Sequence, residues 1–296
     1  MNLSHAHALA LSALVFAPIQ AQADAHGPVS SVVEFGPCTE FIGGFFVSED
    51  AARQVVPETF ELDVGENGVV GQVRAINCQS ISITDEAGNV TEAGQHILYQ
   101  LGAAVLPVAD LDPHPMLEGA AEITEYHAYA FNTVTNLAPL AEALENAGIG
   151  GVQLVEGITF DTGDDNPNSC DLVPVSGSIP GSPELGLSFN GMVRDLGLEP
   201  EDGCVFGEGD ITVSERAVWY TDGPFGPAMS DTAVPNSQRL LFNADPETYA
   251  PLAVGFAPTG DVMQSISGAE IAQFSFTMSG LLERGEVFTI LRPITE

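Results

Sequence analysis

The side chains that could carry out chemistry are few in this chain of 296 residues. The chain contains no Lys, so imine formation between a lysine amine and a carbonyl substrate is excluded. The His-Glu-x-x-His pattern of helical zinc proteases is absent, and the closest approach to Gly-x-Ser-x-Gly, at 186–190, has Asn in place of the final Gly. Acid–base chemistry therefore has to use histidine, arginine or carboxylate side chains that the fold brings together from distant segments.

Two histidines, His96 and His127, lie in predicted strands and are close to aromatic residues in the sequence. Neighbouring strands could bring the two rings together inside the fold, where they would contact a ligand or donate protons near neutral pH. The alternative is that both are hydrogen-bonded structural residues. His114 lies between two prolines and is expected to be solvated in an exposed loop.

Arginine is rare here, and Arg74 and Arg216 fall within predicted strands. Both alternate with the most apolar residues of their strands and so lie on the opposite face. This predicts surface positions where they pair with the abundant acids. The alternative is a guanidinium that receives the carboxylate of a ligand at the mouth of a cavity. Trp219 is expected in the core or in the wall of such a cavity. The candidate ligand-binding residues are therefore His96, His127, Arg74, Arg216 and Trp219.

The segment 161–171 carries six Asp and Asn side chains within eleven residues. Ca²⁺ prefers six to eight oxygen ligands, so one interpretation is a calcium site in a calcium-stabilised surface protein. The acidic ligands would be Asp161, Asp164, Asp165 and Asp171. The residue order of an EF-hand loop is absent and Pro167 interrupts the segment, so the alternative is a solvated acidic turn. No other cofactor is expected.

The first 23 residues resemble a secretory signal peptide. Residues 9–19 form an apolar stretch that is too short to span a bilayer of ~30 Å, and the Ala-Gln-Ala sequence at 21–23 fits a small-x-small cleavage site. The mature protein would then comprise residues 24–296. It is expected to be exported to the periplasm or the cell exterior, without insertion into the membrane.

The chain is strongly acidic, with 41 Asp and Glu residues against seven Arg and a formal net charge of −34. Such a charge repels nucleic acids and anionic lipid surfaces, so neither is an expected partner. It also destabilises the folded chain by self-repulsion in dilute buffer, which salt screens. The charge therefore indicates a halophilic adaptation to a salty exterior, and the alternative is a role in cation capture.

The four cysteines are Cys38, Cys78, Cys170 and Cys204. An even number of cysteines behind an export signal predicts two disulfides, for which three pairings are possible. Pairing in chain order, Cys38 with Cys78 and Cys170 with Cys204, would tie each half of the chain to itself, and each bridge would stabilise the fold by roughly 3 to 4 kcal/mol. A thiolate metal site is not favoured, because no two cysteines have the two-to-four-residue spacing that such sites use.

The clearest local structure is a β-hairpin within residues 55–84. Apolar and polar residues alternate on both sides of the Gly-Glu-Asn-Gly turn at 65–68, which is the pattern of a tight hairpin. The second strand keeps its alternation as far as Thr84. A strand of roughly 16 residues is typical of a barrel or of a strongly bent sheet.

The rest of the chain predicts about ten strands and one convincing helix, capped by Asn136 and ended by Gly148. A shorter helix is predicted after Ser48, whereas residues 222–236 are predicted to be a loop. These elements define a mainly β fold, a closed or partly closed antiparallel β-barrel with one or two peripheral helices. One domain over 24–296 is expected, with two halves that join near 172–183 as an alternative.

Four segments occur in an order and spacing that resemble a known family. They are Val56–Phe60 with its Pro-led Phe, the long strand at 71–83 that ends near a cysteine, the Leu-Ala-Pro-Leu-Ala helix at 137–141, and Trp219-Tyr220 in a late strand. In these features the chain resembles the acetoacetate decarboxylase-like superfamily over roughly residues 45–291. The resemblance implies a closed, cone-shaped β-barrel with an internal cavity. The decarboxylase that names the group forms a Schiff base with a Lys, which this chain lacks, so the resemblance implies a cavity and no particular reaction.

Two functional hypotheses follow from these observations. The leading hypothesis is an exported, disulfide-bonded barrel that binds a small apolar or carboxylate-bearing molecule in its interior without covalent catalysis. The second is a secreted hydrolase or lyase that uses His96 or His127 together with carboxylates. A histidine within hydrogen-bond reach of a carboxylate or Ser in a cavity favours the enzyme, and a uniformly apolar cavity favours the binding protein.

Overall fold

The computed structural model describes residues 28–108, 111–121, 123–162, 172–181, 183–194, 212–243, 255–267, 274–275, 278–284 and 287–294. Within these residues the fold is mainly β, as the alternating patterns predict. The strands are β1 (Ser31–Phe35), β2 (Cys38–Val47), β3 (Val64–Gly65), β4 (Gly68–Cys78), β5 (Ile81–Asp85), β6 (Val90–Ala93), β7 (His96–Ala104), β8 (Ile123–Thr135), β9 (Val152–Leu154), β10 (Thr159–Asp161), β11 (Leu172–Ile179), β12 (Leu187–Arg194), β13 (Thr212–Gly223), β14 (Gly226–Asn243), β15 (Gly255–Pro258), β16 (Phe274–Ser275), β17 (Met278–Arg284) and β18 (Val287–Pro293). The helices are α1 (Glu49–Ala52), α2 (Ala138–Asn146), α3 (Asp261–Ser267) and a 3-10 turn at Pro115–Leu117.

One sheet of thirteen strands curls around on itself. Hydrogen-bonded neighbours follow the order β13, β8, β7, β4, β2, β17 and β14, and the pairing of β14 with β13 closes the ring. The strands β18, β1, β5 and β6 extend the sheet beyond β14. Pairing is antiparallel except where β8 meets β13 and β9, which lie parallel to it. The predicted closed or partly closed barrel is confirmed, with a parallel junction at β8 that the sequence pattern did not predict.

The inner face of this sheet is defined by side chains that meet across the barrel. Val33 of β1, Ile76 of β4 and Leu291 of β18 belong to one buried cluster, although their strands are separated in the sheet. Helix α2 covers this cluster with Leu140 and Leu144. Burying a side chain of this size is worth roughly 1.5–3 kcal/mol, which favours closure of the sheet around the cluster.

A second sheet, in the order β10, β11, β12, β15 and β16, packs on the outer face of the barrel. Phe189 of this sheet stacks on Phe41 of β2 with ring centroids 4.7 Å apart, and Phe256 stacks on Phe45 at 5.8 Å. Val73 of β4 belongs to the same cluster, so alternate residues of β4 point to the inner and outer faces. Because both faces of the barrel wall are covered, neither parity of β4 is a solvent face.

The predicted hairpin is present but shorter than expected. Gly65 pairs with Gly68 around the two-residue turn, and Gly68 has the positive φ of 108° that a tight hairpin turn favours. The prediction that this strand continues to Thr84 is wrong, because β4 ends at Cys78 and β5 pairs with β1 and β6 instead. The chain changes neighbours here since the Gln79 N–H donates to the turn that joins β1 to β2.

Both predicted helices are confirmed, with one difference in capping. Ser48 caps α1 by accepting the Ala51 N–H at 3.2 Å, as expected. Asn136 does not cap α2, because its side-chain oxygen accepts the N–H of Ile97 in β7 at 2.9 Å. Helix α2 ends before Gly148, whose φ of 81° stops it as predicted.

The strand β14, the longest of those described, lies where a loop is predicted. Residues 226–234 pair with β13 on one edge, and residues 228–233 pair with β18 on the other. Pro235 is tolerated because it lies at a bulge, where the register with β13 shifts between Val213 and Glu215. The loop prediction is therefore wrong, since pairing on both edges overrides the local turn residues.

The disulfide expected between Cys38 and Cys78 is present, with an S–S distance of 2.06 Å. It joins facing residues of β2 and β4, which are neighbours in the barrel wall. The other predicted pair, Cys170 and Cys204, lies outside the described residues.

The segment 172–183, considered as a join between two halves, contributes β11. This strand pairs with β10 and β12 and so lies within the second sheet. Residues 1–23 are outside the described part of the chain, so the signal peptide stays a prediction. Of the helices that the structure describes, none is long and apolar enough to cross a membrane.

Candidate functional site

The inner face of the barrel carries a buried ion pair between adjacent strands. Arg74 of β4 donates from Nε to Glu40 Oε1 at 2.9 Å and from Nη2 to Glu40 Oε2 at 3.3 Å. Its Nη1 donates to the side-chain oxygen of Gln100 on β7. Arg74 is only 2% exposed, so its predicted surface position is wrong, although it pairs with an acid as expected.

The positive charge of Arg74 is stabilised within the wall. Burial lowers the pKa of the guanidinium, but the neighbouring charges and hydrogen bonds, with Glu40 first among them, together raise it above its ordinary value. Tyr126 and Glu215 act in the same direction. A guanidinium has five N–H donors. The bonds to Glu40 and Gln100 use three, which leaves two that make no hydrogen bond to the described residues.

A small cavity separates Arg74 from the opposite side of the barrel. Its volume is about 20 Å³, which is room for about one water molecule. Ser230 and Thr232 of β14 and Thr289 of β18 line it, and Leu140 of α2 covers it. The hydroxyls of Thr232 and Thr289 are 2.9 Å apart and hydrogen-bond to each other. Apolar strand residues such as Val33, Ile76 and Leu291 complete the lining, so the cavity combines one polar patch at Arg74 with otherwise apolar walls.

Several buried polar atoms on this face have no hydrogen-bond partner in the described part of the chain, and three of them bear on a ligand site. These three are Gln72 Oε1, Thr133 Oγ1 and Trp219 Nε1. Thr133 pairs with Gln100, which pairs with Arg74, so these residues form one row across β8, β7 and β4. Gln72 is two residues before Arg74 and points to the same face. Buried polar groups without a partner are rare, and an ordered water or ligand is a common explanation.

Trp219 packs directly on β7 because Gly102 has no side chain there. A Cβ at Gly102 would lie 2.8 Å from Cζ3 of the indole and 2.5 Å from the carbonyl oxygen of Tyr129. The indole is fully buried and makes an edge contact with the ring of Tyr126. Gln72 pairs with Gly102 from β4, so Trp219 and Gln72 come from opposite sides of this glycine.

A second polar cluster lies on the outer face, around β8 and β13. Its centre is His127, whose Nδ1 is 2.8 Å from the Tyr220 hydroxyl and whose Nε2 is 2.8 Å from Glu125 Oε1. Burial raises the pKa of Tyr220 to about 12, so the hydroxyl stays protonated at neutral pH. The hydroxyl accepts the Val108 N–H at 3.4 Å, which leaves its own proton for His127 Nδ1. The side chain of Glu125 is 39% exposed and connects the cluster to solvent.

Arg216 continues this cluster into the protein. Its Nε and Nη2 donate to the carboxylate of Asp231 at 2.9 and 2.8 Å, and its Nη1 lies 3.6 Å from Glu125. Arg292 approaches the same Asp231 at 3.8 Å. Burial lowers the pKa of Arg216, but the bonds and charge of Asp231, together with Glu125 and Tyr220, raise it above its ordinary value. The surface position predicted for Arg216 is wrong, although it too pairs with acids.

The two candidate histidines do not meet. His96 begins β7 opposite Cys78, whereas the carbonyl of His127 accepts the N–H of Val105 just beyond the other end of β7. Nine residues of extended chain, from 96 to 105, correspond to about 30 Å. The expectation that neighbouring strands bring the two rings together is therefore wrong.

His114 is buried rather than solvated. Its Nδ1 accepts the Met116 N–H at 3.2 Å, and the ring lies near the charges of Asp231 and Arg216. The exposed-loop prediction is wrong because the 3-10 turn that follows His114 packs against β14. Burial lowers the pKa of His114, as it does that of His96.

Most of the candidate calcium ligands lie outside the described residues. Asp161 ends β10 and is exposed, while Asp164, Asp165 and Asp171 fall in the segment that is not described. In the described segments, no group of three or more His, Cys, Asp or Glu side chains could hold a metal ion. The calcium site stays a prediction.

Sequence reasoning missed the residues that bind the two arginines. These residues are Glu40, Gln100, Glu125 and Asp231. The chain has 41 acids, so composition could not single out three of them. The usable signal was the rarity of arginine, because a buried guanidinium needs an acid beside it.

Comparison by sequence gives no relatives: no protein-family model matches the chain, and no curated protein matches it. Solved structures do match. The enduracididine biosynthesis enzyme MppR with HEPES buffer bound is 11% identical, with a TM-score of 0.50 over 93% of this chain and 91% of its own. An acetoacetate decarboxylase is 10% identical, with a TM-score of 0.46 over 91% and 90% of the two chains.

A third match is the acetoacetate decarboxylase from Legionella pneumophila subsp. pneumophila strain Philadelphia 1. It is 10% identical, with a TM-score of 0.47 over 95% of this chain and 93% of its own. The chain therefore has the acetoacetate decarboxylase-like fold, as the order of its segments predicts. At these identities the similarity shows the fold alone.

Proposed function

We propose that this protein binds a small carboxylate-bearing molecule at the inner face of its barrel, without Schiff-base catalysis. One observation carries the proposal: hydrogen-bond donors without partners lie on the same face as a buried arginine. Thr133 Oγ1 and Trp219 Nε1 are unpaired within the described residues, and Arg74 keeps two N–H groups. Donors exceed acceptors here, which favours an anion over a cation or an amine.

A carboxylate suits the chemistry of these donors. A guanidinium binds a carboxylate through parallel N–H bonds, which are stronger than bonds between neutral groups. A hydroxyl and an indole N–H can each donate one further bond. The carboxylate would then bind at Arg74, with Thr133 and Trp219 donating to the same molecule.

The cavity limits the size of the ligand. At about 20 Å³ it holds one water molecule, so a carboxylate has to displace this water and shift its apolar cover. That cover is formed by Leu140 and Leu144 of α2. Because the cover is apolar, the part of the ligand beyond the carboxylate is expected to be short and apolar.

Export is the second part of the proposal. The Cys38–Cys78 disulfide supports it, since such bridges persist in oxidising compartments and are rare in the cytosol. The sequence of residues 1–23 supports it independently. Amino-terminal sequencing of the protein recovered from its native host tests this part, and a mature chain that still begins at Met1 contradicts it.

Binding can be tested by calorimetric titration with acetate, with acetamide as a neutral molecule of the same shape, at constant ionic strength. Acetate should bind and acetamide should not. Trp219→Phe and Thr133→Val each remove one donor and keep the side-chain shape. Each should weaken acetate binding by roughly tenfold or more, because a hydrogen bond to a charged group is worth about 1.5–3 kcal/mol.

The matched control is Tyr220→Phe, which removes a buried hydroxyl from the outer face. Its acetate affinity should equal that of the unmodified protein. The proposal is contradicted if acetate does not bind, if acetamide binds equally well, or if the Trp219 and Thr133 variants keep full affinity.

A hydrolase or lyase is a second candidate, favoured by the contact between His127 and Glu125. A histidine held by a carboxylate at 2.8 Å beside solvent is an arrangement that general-base catalysis uses. The experiment is ester hydrolysis measured with p-nitrophenyl acetate. A rate above that of free imidazole that disappears in His127→Gln supports this candidate, and an unchanged rate in the variant contradicts it.

A further inference from the structure

A cavity of about 660 Å³ opens at the surface beside the end of helix α2. The last turn of α2 contributes Glu145 to its lining, and the turn between β13 and β14 contributes Pro224 and Phe225. None of the residues that line it belongs to the polar clusters around Arg74 or His127. Its volume is typical of sites for small molecules, so it is a candidate site separate from both clusters.

The aromatic ring of Phe225 is displayed at this cavity. Among the large apolar side chains that the structure describes it is the most exposed, at 84%. It lies on the turn closed by Gly223 and Gly226, where small and polar residues are usual. A Cβ at Gly148 would lie 3.8 Å from Phe225 Cδ2, so the ring lies beside the residue where α2 stops. An open aromatic face carries partial negative charge, which attracts a cation.

The carboxylate of Glu145 is placed where a helix already carries negative charge. The carbonyl end of a helix has a partial negative charge that a basic side chain usually offsets. The last turn of α2 contains no basic residue and has the exposed Glu145 instead. This arrangement is unfavourable by itself, and a cation bound in the cavity would make it favourable. The net charge of −34 adds a long-range attraction for cations.

The lining also includes bare backbone at Gly150 and Gly151. A Cβ at Gly150 would lie 2.5 Å from the carbonyl oxygen of Asp222, and one at Gly151 would lie 2.5 Å from that of Phe131. Both positions therefore require glycine. The Gly150 N–H already donates to Thr221 Oγ1 at 3.0 Å, so it is not available to an anion. None of the described lining residues is basic, and the cavity therefore favours a cation over an anion.

We propose that this cavity binds a quaternary ammonium compound, with its cationic head against the ring of Phe225 and the carboxylate of Glu145. A metal ion needs several oxygen ligands, whereas the described lining has one carboxylate. A quaternary ammonium group needs no hydrogen-bond acceptor, and its methyl groups can pack on the ring and on Pro224. The ring and the carboxylate each attract its charge. The site does not depend on carboxylate binding at the inner face of the barrel.

Choline is the probe, and 3,3-dimethylbutan-1-ol is its neutral counterpart of the same shape. Both are titrated at low, constant ionic strength while the amide signals of Gly150 and Gly151 are followed by NMR. Choline should bind saturably, and the alcohol should bind about fivefold more weakly or less, because its attraction to the ring and the carboxylate is lost. Equal binding of the alcohol, or no saturable binding of choline, overturns the proposal.

Two variants with matched controls test the two contacts. Phe225→Leu keeps an apolar side chain without an aromatic face, and it should lower choline affinity by about threefold or more. Glu145→Gln should lower it by about twofold or more. Phe46→Leu changes another exposed ring, and Glu142→Gln removes an exposed charge of α2 outside the lining. Both controls should keep the parent affinity. Equal losses in each variant and its control overturn the proposal.

Sedimentation with phosphatidylcholine vesicles separates two sources of the same chemical group. Cosedimentation that disappears in Phe225→Leu assigns the site to a lipid head group. Saturable choline binding without cosedimentation assigns it to a free quaternary ammonium compound.

Discussion

Glu215 and Arg216 are consecutive residues of β13 whose side chains serve the two opposite faces of the barrel wall. Glu215 is one of the charges that raise the pKa of Arg74 at the inner face. Arg216 binds Asp231 and Glu125 at the outer face. Both residues are almost fully buried, so a single strand carries part of two charged centres through the thickness of one sheet.

Breaking the ion pair of Arg74 and Glu40 should lower the free energy of unfolding much more than replacing both residues with apolar ones. Arg74→Met leaves the Glu40 carboxylate buried without a partner, which is expected to lower the free energy of unfolding by about 3–5 kcal/mol. The double variant Arg74→Met with Glu40→Leu removes both charges and should recover most of this loss. Urea unfolding followed by the fluorescence of the single tryptophan, Trp219, measures both. A double variant as unstable as Arg74→Met would show that charge burial is not the cause.

The Cys38–Cys78 bridge should be a large part of the stability of the fold. It closes a loop of sequence separation 40, and the chain-entropy model gives about 4 kcal/mol for such a loop. In a Cys170→Ser, Cys204→Ser background, a reductant should lower the melting temperature seen by calorimetry. In the same background with Cys38→Ala and Cys78→Ala the reductant should have no effect. An equal drop in both proteins would contradict the prediction.

Acid should destabilise the protein partly through His96. Burial lowers the pKa of His96 below its ordinary value of 6.5, so the unfolded chain binds the proton more readily than the folded chain. The stability that neutral His96 contributes is complete above the unfolded value of 6.5, and it is lost as the pH falls through the lowered value of the folded state. His96→Phe should therefore flatten the pH dependence of the melting temperature in that window. Parallel curves for the two proteins would rule out this role.

Salt should stabilise the folded chain. A net charge of −34 produces self-repulsion, and salt at 0.1 M already reduces the screening length to about 10 Å. The melting temperature should rise steeply as NaCl is added to dilute buffer. KCl at equal ionic strength should give the same rise if screening is the cause. A melting temperature that does not depend on salt would contradict the halophilic interpretation.

The fold class was predictable because alternation is a local property. The residues on either side of Gly65 and Gly68 reveal strands without knowledge of their partners, and the order of the segments pointed to the correct fold. The placement of Arg74 and Arg216 was not predictable from the same pattern. Alternation separates the two faces of a strand, but it does not say that α2 and a second sheet cover both.

The site residues depended on long-range pairing that one sequence does not show. Glu40 and Arg74 are 34 positions apart and meet through the register of β2 and β4. The same limit explains the error at β14, where the turn-like residues around Pro235 form a strand because both edges are paired. The prediction that His96 and His127 meet was wrong for a related reason. Their strands are neighbours, but the two side chains lie near opposite ends of β7.

Glu40 already neutralises the charge of Arg74 within the barrel wall. An incoming carboxylate therefore meets a guanidinium whose charge has been cancelled, and its affinity depends on the direction of N–H groups rather than on long-range attraction. The net negative charge of the chain repels anions at a distance, so the protein would select a carboxylate only through short-range hydrogen bonds. Such binding is expected to persist at high salt, where attraction between separated charges is largely screened.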